Sequence, residues 1–233
     1  TLRENDLCQL FEDATYGRRL TRVDERAELM RDLGARLLAG DFALIHDAFR
    51  TLVVTPRDLT AFFEFLAKTR AYRDPVRKKT LFFLSLAVSE CGWTVDSDVL
   101  SSPVDYHEVR GHLRLGSIRV SGDVRQRIVA ERPLTEEQDI MLRSVVQAIN
   151  DEIAATLRVP GSRVHYLLWN YFRSCCRRLS HETHCAACPE DDRPAPPYDT
   201  MSGYEGACPF NGVCLSAGKV EKLTDPPYLG DYY

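Results

Sequence analysis

Six of the eight cysteines crowd into one stretch, as Cys175, Cys176, Cys185, Cys188, Cys208 and Cys214. A chain that concentrates thiols this way must close its tail around something. Cys185 and Cys188 form a CxxC pair, and Cys208 and Cys214 bracket Pro209-Phe210-Asn211-Gly212-Val213. Thiolates on a tight turn, with a second pair nearby, suit zinc or an iron–sulfur cluster. A disulfide framework is the rival reading, but 233 residues can bury a core without staples. No signal-peptide pattern opens the sequence at Thr1, so the expectation is an intracellular, cytoplasmic chain. Cys8 and Cys91 read as ordinary buried thiols.

The rest of the chain has helical periodicity almost throughout, and the predicted fold class is all-α. Thr21 is the expected cap of a helix carrying Val23, Ala27, Met30, Leu33, Leu37 and Leu38. An apolar stretch, Phe42 to Val53, follows. Thr55-Pro56 is a start signal, with a capping side chain and proline at the first helical position. Asp74-Pro75 is read as opening a helix through Leu81-Phe82-Phe83-Leu84-Ser85-Leu86-Ala87-Val88, apolar nearly all round and so central to the core. Gly92 ends it, and Thr94 to Ser102 reads as a polar linker. Further helices are expected from Val104-Asp105 to Gly116, from the capping box Thr135/Gln138 to Leu157, and from Gly161-Ser162 through Phe172. No apolar run is long enough to span a bilayer.

The formal charge of -4 gives no global basic footprint. Local patches stand out instead, Arg70, Arg73, Arg77, Lys78 and Lys79 in one and Arg173, Arg177 and Arg178 in another. Two positions carry candidate chemistry. Asp105 opens a helix, where a carboxylate meets unpaired amides and the positive end of the dipole. Lys79 lies against apolar residues with other cations beside it, the setting of a nucleophilic amine. The plainer readings are a helix cap for Asp105 and a solvated face for Lys78-Lys79. His107 and His112 read as surface or core histidines, and Trp169 and Tyr171 as core aromatics, with base stacking the alternative.

Taken together, three ordered motifs resemble the helix-hairpin-helix superfamily of DNA glycosylases, whose best-known member is endonuclease III. Val104-Asp105-Tyr106-His107, then Arg110, Leu113, Arg114, Leu115 and Gly116, resembles the helix that carries the family's catalytic aspartate. Lys79-Thr80, followed by apolar residues and Gly92-Trp93, resembles the segment of the Schiff-base lysine. His165-Tyr166-Leu167-Leu168-Trp169, Arg173 and the cysteines resemble the final helix and iron–sulfur loop. The resemblance covers about Pro75 to Cys214. It implies a two-lobed helical core over 1–174 with the cleft between the lobes, and a cysteine-cluster tail over 175–233. It also implies catalytic Lys79 and Asp105, and a damaged or modified base excised from double-stranded DNA by a monomeric enzyme with lyase activity. A [4Fe-4S] cluster on Cys185, Cys188, Cys208 and Cys214 is implied too, with zinc the alternative metal.

The sequence departs from that family in three places. The glycine-rich hairpin before the lysine is replaced by Ala71-Tyr72-Arg73-Asp74-Pro75-Val76-Arg77-Lys78-Lys79, which looks more like the archaeal 8-oxoguanine glycosylases. This leaves the usual phosphate-holding amides in question and makes Lys78 a substitute nucleophile. The linker Thr94 to Ser102 lengthens the interval from Lys79 to Asp105, and a long insertion separates the two cysteine pairs. Cys175 or Cys176 stands where the family's first ligand would be, with Cys176 the likelier replacement. The substrate implied is an oxidised purine or a hypermodified base of the phage type. A metal-stapled binding module without activity, and a nucleoside hydrolase on a related scaffold, are the other function classes.

Overall fold

The computed structural model describes residues 2–11, 21–39, 42–95, 100–174, 176, 208–217 and 223–227. The fold is all-α, and the chain divides into two compact units, Thr1–Asp96 and Ser97–Asp231. Among the described residues, no helix is long and apolar enough to cross a membrane.

The N-terminal unit contains α1 (Glu4–Leu10), α2 (Val23–Leu38), α3 (Phe42–Thr51), α4 (Pro56–Ala67) and α5 (Lys78–Cys91). Thr55 caps α4 as its sequence requires, its side chain accepting from the Asp58 amide, with Pro56 in the first turn. No residue from Thr80 to Val88 is exposed, so the apolar run of α5 packs on every side. Leu59, Phe62, Phe65 and Leu66 are the buried face of α4, and the Phe62 ring stacks on Phe83 of α5 at 6.3 Å.

Several expectations need correction here. α5 begins at Lys78, not at Pro75, because Asp74-Pro75-Val76-Arg77 forms a turn and Arg77 is left-handed with φ 59°. Arg22, also left-handed, and not Thr21, is the cap residue of α2. Only Ala27 of that helix is buried, while Met30 is exposed and Leu38 is 90% exposed. The expected polar linker starts with a strand: β2 (Thr94–Val95) pairs in parallel with β1 (Val53–Val54). Cys8 and Cys91 are exposed rather than buried.

The C-terminal unit packs α6 (Tyr106–Leu115), α7 (Gly122–Val129), α8 (Glu136–Leu157) and α9 (Gly161–Ser174). The Thr135/Gln138 capping box starts α8 as the sequence indicates. Val104, Val109, Leu113, Ile128, Leu142 and Val146 form one apolar cluster, and Ala154, Val164, Leu168 and Phe172 another. Gly111 lets α6 approach α9 closely, since a Cβ there would overlap the Phe172 ring.

Candidate active site

Asp105 is the N-cap of α6. Its extended backbone, φ -118° and ψ 179°, turns the side chain back over the first turn. Oδ1 accepts from the amides of His107 at 2.8 Å and Glu108 at 3.3 Å. These are donors that a helix start leaves without intrahelical partners. Oδ2 accepts from the Trp169 indole of α9 at 2.8 Å. The residue is only 5% exposed. Arg173, one turn after Trp169, lies 4.7 Å above the indole ring.

Glu108 completes the capping box but is fully buried. Its Oε2 accepts from the Asp105 amide at 3.1 Å and faces His165 Nδ1 at 2.8 Å. Its Oε1 accepts from Asn150 Nδ2 at 2.9 Å. Burial pushes the Glu108 carboxyl up, and His165 works against that. Asn150 continues the network, its Oδ1 facing His112 Nε2 at 2.9 Å while His112 Nδ1 meets Ser117 Oγ at 2.7 Å. Burial holds His112 down to about 4, despite the hydrogen bond to Asn150. A neutral ring that donates through Nε2 and accepts through Nδ1 satisfies both partners.

Two arginines of α6 tie this helix to the cysteine-bearing tail. Arg110 donates to Phe172 O at 2.8 Å, to Cys176 O at 2.6 Å and to buried Asp225 at 2.6 Å. It also donates to His107 Nδ1 at 2.7 Å. A guanidinium has no acceptor, so His107 Nδ1 carries no proton and the ring is the Nε2–H tautomer. Burial lowers His107 to about 4; Asp105 pulls upward and Arg110 downward. Arg114 donates to Leu223 O at 2.8 Å and to Cys176 Sγ at 3.2 Å, while its own carbonyl accepts from Cys214 Sγ at 3.2 Å.

Of the expected metal ligands, Cys208 and Cys214 are half-buried at the two ends of the turn the sequence indicates. Cys175, Cys185 and Cys188 lie outside the described residues. Cys176, Cys208 and Cys214 are not disulfide-bonded. Among the described residues, no group of three His, Cys, Asp or Glu side chains is arranged to hold a metal.

Lys79 belongs to the N-terminal unit and Asp105 to the C-terminal one. Lys79 is the second residue of α5 and half-buried. The carboxylate of buried Asp74 accepts from the amides of Val76 at 3.2 Å and Lys78 at 3.0 Å. Those amides are therefore occupied by a carboxylate of the chain itself, where a glycine hairpin would offer them to a phosphate. Lys78 Nζ stands 5.6 Å over the Phe82 ring, and Arg77 4.7 Å over Phe63. Phe83, one turn after Lys79, is surrounded by the rings of Phe49, Phe62, Tyr72 and Trp93.

A groove of about 710 Å³ in the C-terminal unit is lined by Leu113, Ile118, Arg119, Ile128 and Leu215, among others, and contains none of the candidate residues. Sequence reasoning assigned no role to Glu108, Asn150 or Asp225, and His165 entered it only as part of the final-helix motif. The D-x-x-E spacing of Asp105 and Glu108 was the available signal for the first, and the others lie far along the chain. No protein-family model matches the chain, and no curated protein is similar to it at a significant level.

Proposed function

We propose that this protein is a DNA glycosylase with abasic-site lyase activity, acting on an oxidised or hypermodified base extruded from the duplex. The observation that carries the reading is the setting of Asp105. A nearly buried carboxyl at a helix N-terminus receives three N–H donors, and its helix holds the cysteine-bearing tail through Arg110 and Arg114. The ordered motifs around Lys79 and Trp169 support the same reading.

In this mechanism the extruded nucleotide is reached after an unstacking cost of a few kcal/mol, lowest at damaged or mispaired sites. The Lys79 amine attacks the anomeric carbon as the bond to the base breaks. Asp105 stabilises the positive charge that develops on the sugar. The resulting imine allows the strand to be cut by β-elimination. Because Asp74 occupies the α5 amides, phosphate contacts fall to side chains such as Arg73, Arg77 and Lys78. A [4Fe-4S] cluster, or zinc, on Cys185, Cys188, Cys208 and Cys214 would supply structural support, with Cys176, on the Arg114 side, the replacement for one of the four. The partner is double-stranded DNA, the protein acts as a monomer, and its compartment is the cytoplasm.

Borohydride trapping on duplex DNA with an abasic site tests this reading. The wild-type protein should form a covalent adduct that Lys79→Ala loses and Lys78→Ala keeps. Loss in Lys78→Ala instead moves the nucleophile by one residue. No adduct with the wild type, together with DNA binding unaffected by Asp105→Asn, favours a binding module without activity.

A further inference from the structure

The buried carboxyl of Glu108 has no contact that the proposed chemistry uses, yet it receives donors from three directions. Its partners are the Asp105 amide, His165 of α9 and Asn150 of α8, at 3.1, 2.8 and 2.9 Å. Glu108 and Asn150 are 0% exposed and His165 is 2% exposed. A capping-box glutamate ordinarily lies at the surface, where water solvates whatever the helix start does not. Here the carboxyl is fully desolvated, and each donor it satisfies has been desolvated with it. Replacing such a network with apolar side chains is commonly neutral or favourable for stability. Fold stability alone therefore does not account for an acid at this position, flanked by Val109 and the apolar cluster of α6 and α8.

What the network does is geometric. The Asp105 main chain is the junction between the extended segment that ends in Val104 and the first turn of α6. Glu108 fixes its amide, and Asn150 and His165 fix Glu108. Asn150 Nδ2 also reaches Ser102 Oγ at 3.4 Å, and the Gln147 side chain donates to Ser102 O at 2.8 Å, so the entering segment is held from α8. His165 and Trp169 lie one turn apart on α9. One helix face thus grips the acid pair, His165 on Glu108 and Trp169 on Asp105. We propose that Glu108, clamped by His165 and Asn150, is a positioning residue that sets the backbone of Asp105 and so presents its carboxylate in a single orientation. This rests on the glycosylase reading for its catalytic consequence, although not for its geometry.

The test compares wild type, Glu108→Met, which removes both acceptor oxygens at similar size, and Glu108→Gln, which keeps one. Single-turnover excision is measured on a duplex containing 8-oxoguanine, and binding on the same duplex with a non-cleavable abasic analogue. Glu108→Met should lower the rate by about 10- to 100-fold, with duplex affinity changed less than about 2-fold, and Glu108→Gln should recover part of the rate. An unchanged rate, or a rate loss matched by lost affinity, overturns the proposal. If Glu108→Met does not fold, His165→Leu and His165→Gln decide. The glutamine can return an N–H to Glu108, so its rate should exceed that of the leucine variant, and equal rates overturn the proposal. If wild type excises nothing from this duplex and traps nothing on abasic DNA, the glycosylase reading fails by itself. Amide hydrogen exchange then tests the positioning: in whichever folded variant is in hand, exchange at Asp105 should accelerate about tenfold or more over the rest of α6. Unchanged protection there overturns the proposal.

Discussion

Trp169 donates its indole N–H to Asp105 Oδ2 at 2.8 Å, across 64 positions of sequence. The bond joins the third turn of α9 to the cap of α6 and leaves the Asp105 carboxyl with donors on both oxygens. An aromatic that reads as core packing in the sequence is thus a polar partner of the candidate acid.

Trp169→Phe keeps an aromatic ring and removes the N–H. A nearly buried acceptor that loses its partner costs about 1–3 kcal/mol. The variant should be destabilised by that amount in chemical denaturation, and single-turnover excision should fall by about one order of magnitude with duplex affinity retained. A variant as stable and as fast as wild type would show that the bond is incidental.

Gly111→Ala tests how closely α6 must approach α9. Alanine is the better helix former by about 1 kcal/mol, so on propensity alone the change should stabilise. The added Cβ would instead overlap the Phe172 ring, and Phe172 is 2% exposed with little room to give. Overpacking of this kind costs about 1–3 kcal/mol, so net destabilisation is the expected sign in urea denaturation. A gain in stability would mean that the two helices part easily.

The pH dependence follows from the buried histidines. Both His107 and His112 have folded values of about 4, against 6.5 for an ordinary histidine, with burial the leading cause. Between those values the unfolded chain takes up protons that the folded chain refuses. Their contribution to stability is therefore full above about pH 6.5 and is lost as pH falls towards 4. Glu108, whose carboxyl is raised by burial, acts in the opposite direction above its ordinary value of 4.5. His112→Gln should flatten the loss of melting temperature between pH 6.5 and 4. Ring-nitrogen NMR should show His107 as the Nε2–H tautomer through pH 5.

Local signals in the sequence located the helices whose starts are written in side chains. Thr55-Pro56, Thr135/Gln138 and Asp105 each cap as their residue types require. Where a distant or unusual group completes the start, the sequence misled. Asp74 satisfies the Val76 and Lys78 amides from a turn before the helix, so α5 begins three residues later than its proline suggests. The helix α7 is short, with Ile128 its only buried residue, and gave no periodicity to read. A parallel pairing of two residues with two, Val53–Val54 with Thr94–Val95, is too brief for an alternating pattern. In the site, Asp105 was legible as a cap, but His165 reaches Glu108 from 57 positions away and leaves no local mark.

Arg114 is the residue on which the tail's docking should fail. Its Nε donates to Leu223 O and its terminal nitrogen to Cys176 Sγ, a forked reach that lysine's single ammonium does not reproduce. Arg114→Lys should expose the main chain at Leu223 to a protease that does not cut at lysine, such as chymotrypsin, which also cuts after leucine, while α8 and α9 stay protected. Cleavage at the wild-type rate would show that other contacts hold the tail.

Metal content separates the readings of the cysteines. If the tail holds a [4Fe-4S] cluster, the purified protein is brown and contains iron and acid-labile sulfide; a colourless protein with one zinc supports the alternative metal. The variants then assign ligands. Cys8→Ser and Cys91→Ser replace exposed thiols and should leave the metal in place. Cys185→Ser, Cys188→Ser, Cys208→Ser and Cys214→Ser should each release it. Cys176 is the informative one. Its sulfur accepts from the Arg114 guanidinium, and the Cys214 sulfur meets the carbonyl of that same residue, so both thiols are drawn to one residue of α6. Loss of metal in Cys176→Ser with retention in Cys208→Ser would place Cys176 in the ligand set and move Cys208 out of it. Metal-free wild-type protein with an intact tail would remove the cluster, and the arginine contacts, the Leu215 and Ser216 amides on α6 and the Phe210 ring against Tyr171 and Phe172 would then hold the C-terminal segment.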